Sequence, residues 1–66
     1  MTYIVIEIQK DSGTVSTLTT TFTDQNEAEA KFYQVMSVAA VSTLDRHGAS
    51  VMTEDGNVYL TGTYEH

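Results

Sequence analysis

Two blocks of the sequence alternate between apolar and polar residues with a period of two, and a helical run separates them. Residues 2–10 place three isoleucines on one face. This pattern predicts a strand, because β-branched side chains suit a pleated sheet. Asp-Ser-Gly at 11–13 is typical of a hairpin loop. We therefore expect a second strand over the Thr-rich residues 14–23.

The second block has the same plan. Residues 49–53 alternate, a turn containing Gly56 follows, and residues 58–64 alternate again. Between the two blocks, Asp24 and Glu27 have the spacing of a helix capping box. No helix breaker occurs before Gly48, so we expect a helix at 24–43.

These elements predict a ββαββ chain of the α+β class. Four strands form one mainly antiparallel sheet, and the helix packs on one of its faces. At 66 residues the chain is long enough for a single domain, 1–66, and too short for a second one.

The second half of the helix predicts a homo-oligomer. Residues 35–44 are apolar or small on every side of the helix, whereas one sheet covers only one side. The chain also has no Cys to form disulfides, and small domains need an additional source of stability. The expected interface residues are Val35, Val38, Val41 and Leu44.

The charge excludes some partners. Nine acidic residues against three basic ones give a net charge of −6, which opposes binding to a long nucleic acid. Such a charge favours solubility, or else docking on a basic partner. With no apolar run of membrane length and no signal-like start, we expect a cytoplasmic protein that does not enter the membrane.

Catalytic and metal-binding patterns are missing from the sequence. It contains no phosphate-binding loop, no nucleophile elbow and no metal-ligand spacing. We therefore expect no enzyme, no cofactor and no metal. The local cluster at 45–48 contains Arg46 and His47, which offer donors to a phosphate or carboxylate. The alternative is an ordinary loop in which Arg46 caps the helix.

A second group of residues suits a nucleotide ligand. Tyr3 and Tyr59 are candidates for stacking on a base, and the hydroxyl of Thr61 is a candidate hydrogen-bonding partner for a sugar or phosphate. A plain solvent-facing sheet surface explains the threonines equally well.

Most of the chain resembles a family of small uncharacterised proteins from phages and prophages of Gram-positive bacteria. The likeness rests on an opening YIVIEIQ, a closing Tyr-x-His, and residues 27–56, which read EAEAKFYQVMSVAAVSTLDRHGASVMTEDG. An E-A-x-x-K helix there runs into an Ala/Val/Ser segment, a His, a short strand and an acidic-Gly turn.

The resemblance implies a phage setting, in which small acidic oligomers counter host immunity within the host cytoplasm. The leading hypothesis is sequestration of a cyclic nucleotide second messenger at a subunit interface. One alternative is an acidic inhibitor that binds a host defence protein. Another is a structural or assembly accessory protein.

Overall fold

A computed structural model describes residues 1–66 as four strands and one helix. In chain order these elements are β1 (Tyr3–Asp11), β2 (Thr14–Phe22), α1 (Gln25–Ala40), β3 (Arg46–Thr53) and β4 (Val58–Glu65). The predicted ββαββ order and α+β class are confirmed. The single helix is too short and too polar to cross a membrane.

The strands form one sheet in the order β2-β1-β3-β4, and each neighbouring pair is antiparallel. Because β2 and β3 both run antiparallel to β1, they are parallel to each other. The segment from β2 through α1 to β3 is therefore a crossover connection. Such connections are right-handed in almost all proteins, and the handedness determines which face of the sheet the helix covers.

The β1–β2 hairpin has a two-residue loop. Ser12 and Gly13 have positive φ angles of 53° and 83°, as a type I′ turn requires at both central positions. The strands then pair without interruption from Asp11 opposite Thr14 to Tyr3 opposite Phe22.

The helix begins where the capping residue predicted and ends earlier than expected. The side chain of Asp24 accepts a hydrogen bond of 2.9 Å from the backbone N–H of Asn26, so Asp24 is the N-cap. At the other end, the amides of Val41 and Ser42 bond to carbonyls three residues back. This tightening ends α1 at Ala40 rather than residue 43.

The helix covers one face of the sheet, here called the covered face. The core there joins Val5 and Val51 of the sheet to Phe32 of the helix; each is at most 5% exposed. Ala28, Val35 and Ala49 complete it. Small and medium-sized side chains on the sheet let the helix approach closely.

The other face has no helix on it and is here called the open face. By strand register, its apolar residues are Ile4, Ile6, Ile8, Val15, Met52 and Val58. Ile8, Val15 and Val58 are exposed, and the others are half-buried. Hydroxyl-bearing and charged residues surround them: Thr17, Thr19, Thr21, Ser50, Thr61, Thr63, Lys10, Arg46 and Glu65.

In the isolated chain, α1 is covered on one side only, so burial of its other side by a second copy stays a prediction. Val35 is 4% exposed because it packs in the chain's own core, which leaves it almost no surface for the predicted interface. Val38 and Val41 are 56% and 82% exposed, and Leu44 is half-buried. Besides the exposed valines of the helix, the open face of the sheet is a second uncovered apolar region, and it was not predicted from the sequence.

The start of β3 also differs from the prediction. This strand begins at Arg46 rather than residue 49. Asp45 anchors its start, since the carboxylate accepts from the Ser12 amide at 3.0 Å and the carbonyl from the His66 amide at 3.0 Å. Residues 46–48 then pair with both β1 and β4. The expected functional loop is therefore part of a central strand.

Candidate functional site

The strand conformation separates the two predicted donors, Arg46 and His47. Successive side chains in a strand point to opposite faces. Arg46 lies on the open face, half-exposed and paired with Glu65. His47 lies on the covered face and is 2% exposed. Within one chain the two residues do not act on one ligand.

His47 belongs to a buried polar cluster beneath the helix. Its Nε2 lies 2.6 Å from a carboxylate oxygen of Glu7 on the adjacent strand. The side-chain amide of Gln9 donates to the same oxygen at 2.9 Å. Because an ionised carboxylate only accepts hydrogen bonds, the Nε2 atom of His47 carries the proton.

The electrostatics of this cluster favour an ionised Glu7. Burial by itself raises the pKa of the Glu7 carboxyl. The hydrogen bonds from His47 and Gln9, helped by positive charge at His47 and Lys31, outweigh burial and hold the pKa below the ordinary 4.5. A cavity of about 130 Å³ adjoins this carboxylate between α1 and β2.

The cluster is enclosed by the chain's own strands, since His47 is 2% exposed. The Nδ1 atom of His47 is buried without a hydrogen-bond partner, and no nucleophile approaches the ring. No group of three potential metal ligands occurs anywhere in the structure. His47, a predicted ligand-binding residue, is thus shielded from ligands by its own fold.

The open face carries the larger cavity, of about 240 Å³. Two of the predicted site residues, Arg46 and Thr61, line it. Ser50, Thr63, Ile8 and Gly48 are also in its wall. The hydroxyls of Ser50 and Thr61 are 2.9 Å apart, which places two polar groups side by side on the cavity wall. These donors and acceptors suit a polar or phosphorylated ligand.

Gly48 shapes this cavity. A Cβ at this position would overlap the carbonyl oxygen of Gly62 and come within 2.9 Å of the Cα of Thr63. Both obstacles are backbone atoms of β4, so they have little freedom to yield. Gly48 therefore permits the close approach of β3 and β4 and leaves the space above it open.

Charge distinguishes the open face from the rest of the molecule. Its charged side chains are Lys10, Arg46 and Glu65, which sum to +1. The rest of the chain carries the other eight acids against Lys31, a sum of −7 that accounts for the net −6. The open face is the one large surface that does not repel an anion.

Tyr3 and Tyr59 meet at the opposite end of the covered face. Their rings form an edge-to-face pair with centroids 6.3 Å apart. A register shift opposite Val51 and Met52 brings Tyr59 there. Burial, followed by the nearby charge of Glu29, raises the pKa of Tyr59. The two tyrosines therefore lie apart from Arg46 and Thr61.

Sequence reasoning missed Glu7, Gln9 and Ser50 as members of these clusters. The sequence does contain an indication for Glu7, because this charged residue interrupts an otherwise apolar strand centre. Charged residues are almost never buried without a partner. The partner, His47, lies 40 residues away, and local spacing does not reveal such a pairing.

Comparison with known proteins gave no match to a protein-family model, to a curated protein or to a solved structure. The fold defines the class, which is a two-layer α+β domain with one uncovered sheet face.

Proposed function

We propose that this protein is a non-catalytic homo-oligomeric binding protein that sequesters a cyclic nucleotide between two open faces. In the phage setting implied by the sequence resemblance, it would lower the concentration of a host second messenger and so counter host immunity. The observation that carries the proposal is a cavity with an arginine and three hydroxyl-bearing residues in its wall, on the only large surface without net negative charge.

The cavity size favours a shared ligand. Ligand pockets commonly have volumes of about 300–1,000 Å³. One open-face cavity measures about 240 Å³, and two that face each other about a two-fold axis reach this range together. A cyclic dinucleotide is itself two-fold symmetric in its phosphates, so each copy supplies one set of donors. The uncovered isoleucines provide apolar area around the ligand.

Arg46 is the main phosphate donor in this proposal. Its guanidinium is half-exposed and already bound to the exposed carboxylate of Glu65. A phosphate can take the place of that carboxylate, because both groups accept two parallel hydrogen bonds from an arginine. Thr61 and Ser50 then supply hydroxyls to the sugar or phosphate.

The first test is calorimetric titration with a panel of cyclic di- and trinucleotides. We expect one ligand bound per two chains. Arg46→Ala should weaken binding by about 1.5–3 kcal/mol, roughly 10–100-fold, the loss typical of a charged hydrogen bond. Glu65→Gln should strengthen binding, since it removes the competing carboxylate.

Lys31→Ala is the matched control. It removes the same charge from the helix side of the molecule, near Glu7, and should leave affinity within about twofold of wild type. Equal losses in both variants would indicate general attraction rather than a site at Arg46. If no nucleotide in the panel binds, the proposal is wrong.

A second candidate function is inhibition of a basic host defence protein. It is favoured by the position of five acids at the end of the molecule where β1 begins: Asp24, Glu27, Glu29, Glu54 and Asp55. The Tyr3–Tyr59 pair lies at the same end, and the Glu54 amide bonds to the Thr2 carbonyl there.

This second function predicts a purified protein without excess absorbance at 260 nm. It also predicts salt-sensitive complex formation with a basic protein, lost on Glu27→Gln/Glu29→Gln.

A further inference from the structure

The outer edge of β2 is an unprotected strand edge. In the order β2-β1-β3-β4, β2 has no neighbour on one side. Eight of its nine residues are exposed, and none of the nine is charged, Pro or Gly. Its pairing with β1 is continuous and has no bulge. Most proteins block such an edge with charge, proline or a bulge, because it can pair with another strand.

The other edge, β4, is protected in the usual ways. Its pairing with β3 contains a register shift opposite Val51 and Met52. It also ends in the charged residue Glu65. The contrast singles out β2 as the edge available for pairing.

The hairpin geometry determines which backbone groups of β2 face outward. In a two-residue hairpin, the residues that flank the loop exchange both hydrogen bonds, so Thr14 and every second residue after it bond to β1. The intervening residues direct their N–H and C=O groups away from the sheet. These are Val15, Thr17, Thr19 and Thr21.

We propose that the β2 edge pairs antiparallel with β2 of a second copy, which joins two sheets into one of eight strands. The pattern of β2 favours a second copy as the occupant, because this continuous uncharged strand can pair with itself along all nine residues. Two molecules of charge −6 repel each other, but an uncharged strand lets them meet without placing acid against acid. This interface is independent of the proposed nucleotide site.

One register pairs all nine residues of both strands. It places Leu18 on the two-fold axis, Thr14 opposite Phe22 and Thr17 opposite Thr19. Asp24 then faces Ser12 of the β1–β2 loop rather than an acid. Leu18 and Val15, 62% and 59% exposed in one chain, gain cross-strand neighbours. Paired threonines add favourable contacts of the kind that stabilise sheets.

The test combines sedimentation velocity with hydrogen exchange, on the full chain without nucleotide. We expect self-association, and slow exchange at the amides of Val15, Thr17, Thr19 and Thr21 at high concentration. Leu18→Lys should weaken association at least about tenfold and restore fast exchange, since it places two like charges at the axis. Leu18→Thr is the matched control and should weaken association much less than Leu18→Lys, because it keeps the edge uncharged and favourable for a strand.

Two further variants keep the result decisive. Thr19→Pro removes an outward donor and leaves the inward bonds to β1 in place, so it should also dissociate the pair while circular dichroism stays native. Ile6→Asp disrupts stacking of open faces and should leave the four amides protected. A wild-type monomer with fast exchange at those amides would overturn the proposal, as would a Leu18→Lys variant that associates normally.

Discussion

The two faces of the sheet differ in which apolar side chains of β1 and β3 they carry, and the helix does not cover the face with the three isoleucines. The covered face presents Val5, Ala49 and Val51 to the helix, whereas the open face presents the larger Ile4, Ile6 and Ile8 to solvent. The helix therefore packs over small side chains at the centre of the sheet, with the larger Tyr3, Phe22 and Leu60 around them. Close packing depends on shape as well as hydrophobicity, and small residues let a helix approach a sheet closely.

The polar residues follow the same division. The covered face encloses a hydrogen-bonded Glu7–His47 pair that solvent hardly reaches. The open face keeps Arg46 and several hydroxyls accessible around a cavity. Under the proposed function, the covered face stabilises the domain and the open face binds the ligand.

The largest expected effect concerns the two glycines of the β3–β4 pair. Gly48→Ala should destabilise the protein by about 3 kcal/mol, the upper end for overpacking, because backbone atoms of β4 obstruct the new methyl group. Gly62→Ala meets the flexible end of Met36 instead and should cost about 1 kcal/mol or less. Urea unfolding measures both, and equal losses would contradict the asymmetry.

A smaller effect is expected from one substitution made on each face of β1. Val5→Thr buries a hydroxyl without a partner at a site 1% exposed and should cost about 2 kcal/mol. Ile6→Thr, one residue along on the open face, should cost less than half as much in the monomer. Thr favours strands at both positions, and the difference in burial should outweigh the extra carbon that Ile6→Thr removes. Thermal unfolding at low concentration compares them.

The smallest effect is a pH dependence carried by the covered face. Because the folded pKa of Glu7 lies below its unfolded value of 4.5, folding favours the carboxylate. The resulting stability is present above about pH 4.5 and is lost as the pH falls through the folded pKa. Glu7→Gln should flatten the fall in unfolding free energy between about pH 5 and 3. Glu27→Gln, at an exposed helix position, should retain the wild-type slope.

Much of the fold was predictable because its signals are local. Period-two alternation, the Ser12–Gly13 loop and the Asp24 cap each act within a few residues, and all appear in the structure. The start of β3 was not predictable in this way. Gly48 and His47 carry no strong strand preference, and long-range pairing with β1 and β4 made their segment a central strand.

The candidate site was predictable in part for the same reason. Arg46 and Thr61 were identified as polar groups of suitable chemistry, and both line the open-face cavity. Their separation from His47, Tyr3 and Tyr59 depends on strand phase and register. If the strand phase or the pairing register shifts by one residue, each side chain of that strand moves to the opposite face of the sheet.

By itself, the sequence determined which residues share a face and where the turns and the helix cap occur, because these depend on local dihedral preferences and periodicity. Only the tertiary structure decided which face the helix covers. Both faces of β1 carry apolar residues, so hydrophobicity alone does not choose between them. The strand order makes β2–α1–β3 a crossover around β1, and the handedness of that crossover, a property of the assembled chain, settles the choice.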